Sequence, residues 1–542
     1  VASFLAIYSK SKVVETILLN SLLADFSSNG TRKLECKDFN GFHFYTDEKF
    51  KQSLFENENG VSFVSGLISI DQSGEKLCSN HVEQLDVILN HNENLNLEKW
   101  EGVFAAINYT KSTHTLTYIN DKFGISPIFV LENENYIILS NEYQTLANYN
   151  AQLDNEAIAE FLTFGVCLGN KTFFKNIQNL APASIVKSHY EQTNKKIYWE
   201  AKTIVTSEKE IDFLAKEMYE LFKKINQEYI DAELTQVTLL TAGADSRLIV
   251  ATLTETQLKR LKFMTSSLTF LDAQEDKDAV GAAAIAQKFN LDHTIEKISF
   301  YEKTFCPEYF EKERKMREKV VYGGWHGGEL LGGFCMNASP IRKTLSFQEI
   351  DKKYKSIFNW RFRFKLQNHP FIAYSDEIKK LNGNQLLFMI HQITRSFFTN
   401  IYGGSKGHWV QPFQLVNHGF SPFWDSRFLQ LLLQVPLSEL ENYNFYNKVF
   451  AYVNSDFKSI PSNSPLTNRD DSLLLKMNSG IEPKHQFPDV HHEAYLDCIR
   501  DRKIWKRHMY TKNMLKKLLA SEYDALTRQW LDFEVWRRKY AK

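Results

Sequence analysis

The sequence predicts two folds in one chain, a β-sandwich over residues 1–200 and an α/β domain with a parallel sheet and a helical extension over residues 201–542. Three observations predict it. Short runs of β-branched and aromatic residues, parted by Asn, Asp and Gly clusters, fill the first 200 positions. After Lys196-Ile-Tyr-Trp-Glu200 the pattern changes to long amphipathic stretches of helical period. Strand-like runs then alternate with helical ones, the order that crossover connections in a parallel sheet require.

The β-rich part offers strands at 4–8, 42–45, 61–70, 103–109, 115–119, 125–131 and 136–140, enough for two packed sheets. The second part begins with a helix at 208–231, followed by strand 236–240, helix 246–257, strand 262–266, helix 279–289 and strand 293–298. From about residue 345 the chain reads as mostly helical and rich in aromatics, with helices at 385–398 and 425–433.

Composition excludes several classes. With 542 residues, 43% apolar and 24% charged, the chain has the make-up of an ordinary globular protein with room for two to four cores. Lys plus Arg and Asp plus Glu both number 65, so no overall field draws nucleic acid or an anionic membrane, and a charged ligand must be held locally. Cys36, Cys78, Cys167, Cys306, Cys335 and Cys498 include no CxxC pair, which argues against a zinc ribbon or disulfide framework. The apolar run at the N-terminus is too short for a secretory signal or a membrane span, and a cytoplasmic location is expected. Residues 500–542 hold 13 Lys/Arg against 5 Asp/Glu beside Trp505, Trp530 and Trp536, and read as a solvated face with its Trp residues packed. His491-His492-Glu493 lacks metal-site spacing.

The most informative stretch is Val237-Thr-Leu-Leu-Thr-Ala-Gly-Ala-Asp-Ser-Arg247. A buried strand runs into small residues, and Asp245 and Ser246 then open an apolar helix. Small residues admit a ligand close to the backbone, and a helix start presents unpaired N–H groups to an anion. It is neither a Walker loop nor GxGxxG. An N-capped strand-to-helix turn would look similar.

The spelling Thr241-Ala242-Gly243-Ala244-Asp245-Ser246 resembles the SGGxDS loop of PP-loop ATP pyrophosphatases. Further segments in the same order resemble the asparagine synthetase B family over roughly residues 1–450. They are Glu101-Gly-Val-Phe-Ala-Ala-Ile-Asn108, Asp121-Lys-Phe-Gly-Ile-Ser-Pro127, Leu162-Thr-Phe-Gly165, Lys171-Thr-Phe-Phe-Lys-Asn-Ile177, Tyr198-Trp199, Trp325-His-Gly-Gly-Glu-Leu-Leu-Gly-Gly333 and Pro422-Phe-Trp-Asp-Ser-Arg-Phe428. The resemblance implies an Ntn-type glutaminase-like sandwich followed by a PP-loop synthetase domain.

The departures from that family narrow what it implies. Ala2 stands where glutamine-dependent members carry the nucleophilic Cys, and Ser65-Gly66-Leu67 stands for their Asn-Gly-Glu, so the sandwich is expected to be inert towards glutamine. The implied chemistry is that of members such as β-lactam synthetases and lasso-peptide cyclases: ATP- and Mg²⁺-dependent, AMP-forming joining of a carboxylate to an amine or to ammonia. A small-molecule, peptide or sugar-acid carboxylate would be the acyl partner, without nucleic acid or a membrane span. A homodimer and a biosynthetic partner protein both stay open.

The resemblance assigns Asp245 and Glu329 to Mg²⁺, with Gly328 at the family's second acid. Leu240, Thr241, Ala242, Gly243, Asp245, Ser246, Met264, Gly324, Gly327 and Gly328 fall to ATP, and Glu329 to catalysis. The family's late lysine is missing, with Lys448 and Arg469 as its candidate replacements. His326 stands as a substrate-site base or as a hydrogen-bonded loop histidine. The rival readings are a degenerate nucleotide-binding scaffold and sulfur or tRNA-base chemistry at Cys335.

Overall fold

The computed structural model describes residues 3–11, 13–26, 33–70, 82, 83, 89, 96–147, 149, 152–201, 210–231, 237–269, 277–299, 321–332, 345–391, 419–440, 443–460, 510, 511 and 534. They fall into two units. The first comprises Val1–Lys202, Leu345–Val410 and Lys503–Lys542, and the second Thr203–Thr344 and Gln411–Arg502.

The first unit is built on twelve strands: β1 (Phe4–Ser9), β2 (Leu34–Phe39), β3 (Phe42–Asp47), β4 (Leu54–Asn57), β5 (Gly60–Ile70), β6 (Trp100–Thr110), β7 (Thr115–Asn120), β8 (Phe129–Glu132), β9 (Tyr136–Ser140), β10 (Ile177–Asn179), β11 (Ser184–His189) and β12 (Gln192–Ile197). They form two six-stranded antiparallel sheets, ordered β10-β8-β9-β1-β3-β2 and β12-β11-β7-β6-β5-β4. Side chains alternate between faces along a strand. Phe4, Ala6, Tyr8, Phe42 and Phe44 of one sheet therefore share a core with Val61, Phe63, Ala105, Ile107 and Tyr109 of the other. The intervening Val64, Ile68, Phe104 and Ala106 turn to the opposite face and join Trp100, Ile119 and Tyr198 in a second cluster.

The strand expected at 125–131 starts only at Phe129. The buried Asp121 carboxylate accepts the N–H groups of Phe123 (3.1 Å), Ile125 (3.0 Å) and Ser126 (2.8 Å), which holds this stretch in a turn. Gly66 in β5 has φ of +107°, and a Cβ there would lie 2.1 Å from the Val103 carbonyl oxygen, so the Ser65-Gly66-Leu67 segment tolerates no side chain at its centre.

Helix α1 (Thr16–Phe26) lies between β1 and β2 in sequence, and α2 (Asn155–Phe164) follows β9, capped at its N-terminus by Asp154. The later helices Phe347–Ile357 and Pro370–Lys380 pack on α2. Tyr374 stacks on Phe164 with centroids 5.8 Å apart, and Glu156 accepts the N–H groups of Gln367 (3.0 Å) and Asn368 (3.1 Å).

The second unit opens with α3 (Ile211–Asp231), which buries Leu214, Met218, Phe222, Ile225 and Tyr229 along one face. It continues through β13 (Val237–Leu239), α4 (Ala244–Ala251), β14 (Lys262–Thr269), α5 (Lys277–Phe289), β15 (Asp292–Ser299), β16 (Val321–Tyr322), α6 (Gly327–Gly332), β17 (Gly419–Phe420), α7 (Ser426–Leu432) and α8 (Asn444–Phe450). The sheet is parallel at every pairing and ordered β15-β14-β13-β16-β17. The helix expected at 246–257 is two, because Thr254 and Gln257 form a capping box that starts a second helix, Glu255–Arg260.

Candidate active site

The strand order reverses between β13 and β16: successive strands run outward from β13 on one side, and β16 resumes on the other. The loops leaving the carboxyl ends of such a pair diverge and open a crevice, the place where open parallel sheets bind ligands. The loop after β13 is Leu240–Gly243 and the loop after β16 is Gly323–His326, and they meet at Asp245.

The first loop is closed by its own hydroxyls. Ser246 Oγ accepts the Thr241 N–H at 3.1 Å and lies 3.1 Å from Thr241 Oγ1, which accepts the Gly243 N–H at 3.1 Å. Gly243 is the N-cap of α4, so the first amides of that helix, from Ala244 onward, have no partner inside it. Leu240 donates its N–H to the Met264 carbonyl at 2.9 Å, and both side chains are packed into the core, as is Ala242.

Arg247, fully buried, fixes the loop from beneath. Its Nε donates to the Ala242 carbonyl (3.2 Å), and one terminal nitrogen donates to the carbonyls of Phe457 (2.9 Å) and Ile460 (2.5 Å). Burial pulls its guanidinium down to about 10, which leaves it charged at neutral pH beside a loop suited to anions.

Asp245 is gripped from two sides. Gly328 donates its N–H to Oδ2 at 3.0 Å, and Tyr446 of α8 donates its hydroxyl to Oδ1 at 2.7 Å. A Cβ on Gly324 would lie 2.7 Å from Asp245 Cβ, and one on Gly327 would lie 2.6 Å from Asp245 Oδ1 and from Phe423 Cζ. The glycine-rich loop thus lets the backbone settle on the carboxylate. Burial pushes the Asp245 carboxyl up to about 7; the Tyr446 hydrogen bond opposes the rise and the charge of Glu329, in the first turn of α6, adds to it.

Two neighbouring carboxylates that repel each other suit a hard divalent cation, which would relieve the repulsion and take phosphate oxygens as its remaining ligands. Among the described residues no group of three or more His, Cys, Asp or Glu gathers to hold a metal. Asp245 and Glu329 are the carboxylates that the described residues bring together here.

His326 has φ of +66°, and its Nδ1 accepts the Trp424 indole N–H at 3.1 Å. In the neutral ring the remaining proton then sits on Nε2, so His326 reaches its surroundings as a donor rather than as a base. Lys448 stands two residues beyond Tyr446 on α8, which turns it away from Asp245; it pairs with Asp212. Arg469, Gly333, Cys335 and Ala2 lie outside the described residues. In the Pro422–Phe428 segment, Asp425 caps α7 and binds Arg427 through both oxygens, at 2.9 and 3.0 Å.

Sequence reasoning missed Tyr446, Tyr443 and Arg247. Tyr443, at φ of +62°, lays its ring on Gly332, where a Cβ would come within 2.2 Å of it. An aromatic pair three residues apart, Tyr443 and Tyr446, was the available signal.

Comparison with known proteins bears on the first unit. Residues 83–199 match the glutamine amidotransferase domain family. That span includes β6 through β12, so this part of the sandwich is similar to a glutamine amidotransferase domain. A curated relative, "Asparagine synthetase [glutamine-hydrolyzing] 1" of Bacillus subtilis (strain 168), is 24% identical over 264 residues, which is 45% of this chain. The match spans 41% of that relative's length. Together the two matches support an asparagine synthetase-like family.

Among solved structures, glutamine phosphoribosylpyrophosphate amidotransferase from B. subtilis complexed with ADP and GMP aligns at 11% identity over 59% of this chain and 74% of its own, with a TM-score of 0.23. An allosteric regulatory enzyme of purine biosynthesis aligns at 10% identity over 65% and 88%, with a TM-score of 0.24. Scores this low transfer neither fold nor ligand. No helix among the described residues is long and apolar enough to cross a membrane.

Proposed function

We propose that this chain is an ATP- and Mg²⁺-dependent ligase that adenylates a substrate carboxylate and joins it to an amine, releasing AMP and pyrophosphate. The observation that carries the reading is the meeting of the Thr241–Ser246 loop, Asp245 and Glu329 at the reversal point of a parallel sheet.

The opening amides of α4 and the Thr241 hydroxyl bind phosphate oxygens, with the Ser246 hydroxyl holding the loop in shape. Buried Arg247 supplies positive potential under the loop. Asp245 and Glu329 would hold Mg²⁺, which would supply charge neutralisation at the phosphates. The substrate carboxylate forms a bond to the α-phosphorus as the bond to pyrophosphate breaks; the amine then forms a bond to the acyl carbon and AMP leaves.

Glutamine is not hydrolysed: Ser65-Gly66-Leu67 offers neither the amide nor the carboxylate that orients it in the resembled family. The acyl substrate is a small-molecule, peptide or sugar acid, and the attacking group an organic amine or ammonia. The sequence match to an asparagine synthetase supports the ligase class.

A second reading, a nucleotide-binding scaffold without catalysis, is favoured by Gly328, whose N–H grips Asp245 where the resembled family has an acid. Calorimetric titration of ATP with Mg²⁺ into the wild type and Asp245→Ala tests the site. Binding that needs Mg²⁺ and disappears in the variant supports it, and release of AMP in a carboxylate screen then separates ligase from scaffold. A folded wild type that binds no ATP with Mg²⁺ overturns both.

A further inference from the structure

The first unit carries an exposed aromatic ridge in a strongly cationic stretch. In the short helix Trp360–Lys365, Asn359 caps the start by accepting the Phe362 N–H at 3.0 Å. Phe362 is buried and stacks on Phe358 at 5.1 Å, and Phe358 stacks in turn on Tyr510 at 6.3 Å. This anchor fixes which way the helix faces. Trp360 and Phe364, four residues apart and so on one side, are turned out of the protein with 66% and 87% of their surfaces exposed. Phe364 is the most exposed large apolar residue among those described.

The chain through the ridge is rich in cations, and Glu156, which accepts the Gln367 and Asn368 N–H groups just beyond it, is an acid beside it. Residues 352–375 contain Lys352, Lys353, Lys355, Arg361, Arg363 and Lys365 and no Asp or Glu, in a chain that as a whole carries 65 basic and 65 acidic residues. Lys355 is paired with Asp351 at 2.6 Å, while Arg361 and Lys365 are exposed and flank the ridge. Arg361 lies over the Trp360 ring, 5.4 Å from its centroid.

We infer that this ridge is an interfacial contact for an anionic phospholipid surface, with Trp360 and Phe364 entering the headgroup layer and Arg361 and Lys365 meeting lipid phosphates. A protruding apolar pair with cations on its flanks is the chemistry of such contacts, where Trp favours the interface and basic side chains the anionic leaflet. Two other occupants fit less well. A second copy paired through the same face would set its cations against these. A nucleic acid base would find one Trp360 face already covered by Arg361.

The test is flotation of the full chain with vesicles of phosphatidylcholine alone and with about one-third phosphatidylserine, at low and high salt. Binding to the anionic vesicles, weakened by salt and reduced about tenfold or more in W360A/F364A, is expected. Both replaced side chains are exposed, and an unchanged melting temperature confirms that the variant is folded. Absence of binding to anionic vesicles at low salt overturns the inference, as does binding that the double variant retains. Retention on a single-stranded oligonucleotide without vesicle binding, or a concentration-dependent dimer abolished by the same substitutions, overturns it in favour of those occupants.

Discussion

Asp245 shows how much of a site is decided by residues that do no chemistry of their own. Its oxygens face the Gly328 N–H and the Tyr446 hydroxyl, so the carboxylate is oriented before any ligand arrives. Tyr446→Phe keeps the ring and removes only that hydroxyl; ATP binding in the presence of Mg²⁺ is expected to weaken by about 10- to 150-fold, from the ~1.5–3 kcal/mol such a bond to a charged group contributes. Calorimetry on the variant checks it, and unchanged affinity would remove Tyr446 from the site.

The strand-to-helix turn that carries Asp245 was legible in the sequence, because an apolar strand runs into small residues before an apolar helix. Tyr446 was not, because 201 positions separate it from its partner and nothing local marks that contact.

A second acid gives a pH test. Glu160 in α2 is 2% exposed, accepts the Leu168 N–H at 3.1 Å and pairs with Lys171. Burial pushes its carboxyl up to about 7, with Lys171 pulling the other way. A carboxyl raised in the fold above its ordinary value of about 4.3 stabilises the fold below that value and loses the contribution as pH climbs through 7. The wild type should therefore lose melting temperature relative to Glu160→Gln between about pH 5 and about pH 8. Parallel curves for the two proteins would contradict this.

At the scale of elements, the turn between β7 and β8 depends on one side chain. Asp121→Ala leaves the Phe123, Ile125 and Ser126 N–H groups without their acceptor, and a loss of about 3 kcal/mol or more in urea unfolding is expected. Asp121→Asn, which keeps one acceptor oxygen, should recover part of it.

The same turn explains a limit of pattern reading. Residues 125–131 are apolar enough for a strand, yet a carboxylate four residues upstream claims the amides at Ile125 and Ser126. The parallel sheet was readable because β13, β14 and β15 alternate with helices at regular intervals. Strands β16 and β17 have two residues each and carry no periodic signal; their pairing is a tertiary fact.

At the scale of the whole molecule, the first unit is not continuous in sequence. An amphipathic pattern at 347–357 says that a helix buries one face but not against what, and the partner proves to be α2, nearly 200 residues earlier. A fragment of residues 1–202 lacks Tyr374 and the backbone donors of Gln367 and Asn368, leaving Phe164 and Glu156 without these contacts. That fragment should melt lower or aggregate where the full chain stays dispersed, as light scattering during heating would show. A fragment as stable as the full chain would mean that the later helices add nothing.

This discontinuity also sets a clock during synthesis. At ~5 to 20 residues per second, the ribosome needs roughly 10 to 40 s to pass from the end of β12 to the helices that cover α2. Throughout that interval the sandwich exists without its cover. The parallel sheet meanwhile waits for Gly419 and Phe420 to supply its last strand. Each unit is thus completed only after much of the other has emerged, and a chaperone that shields α2 on the nascent chain would act on a surface that translation order leaves bare.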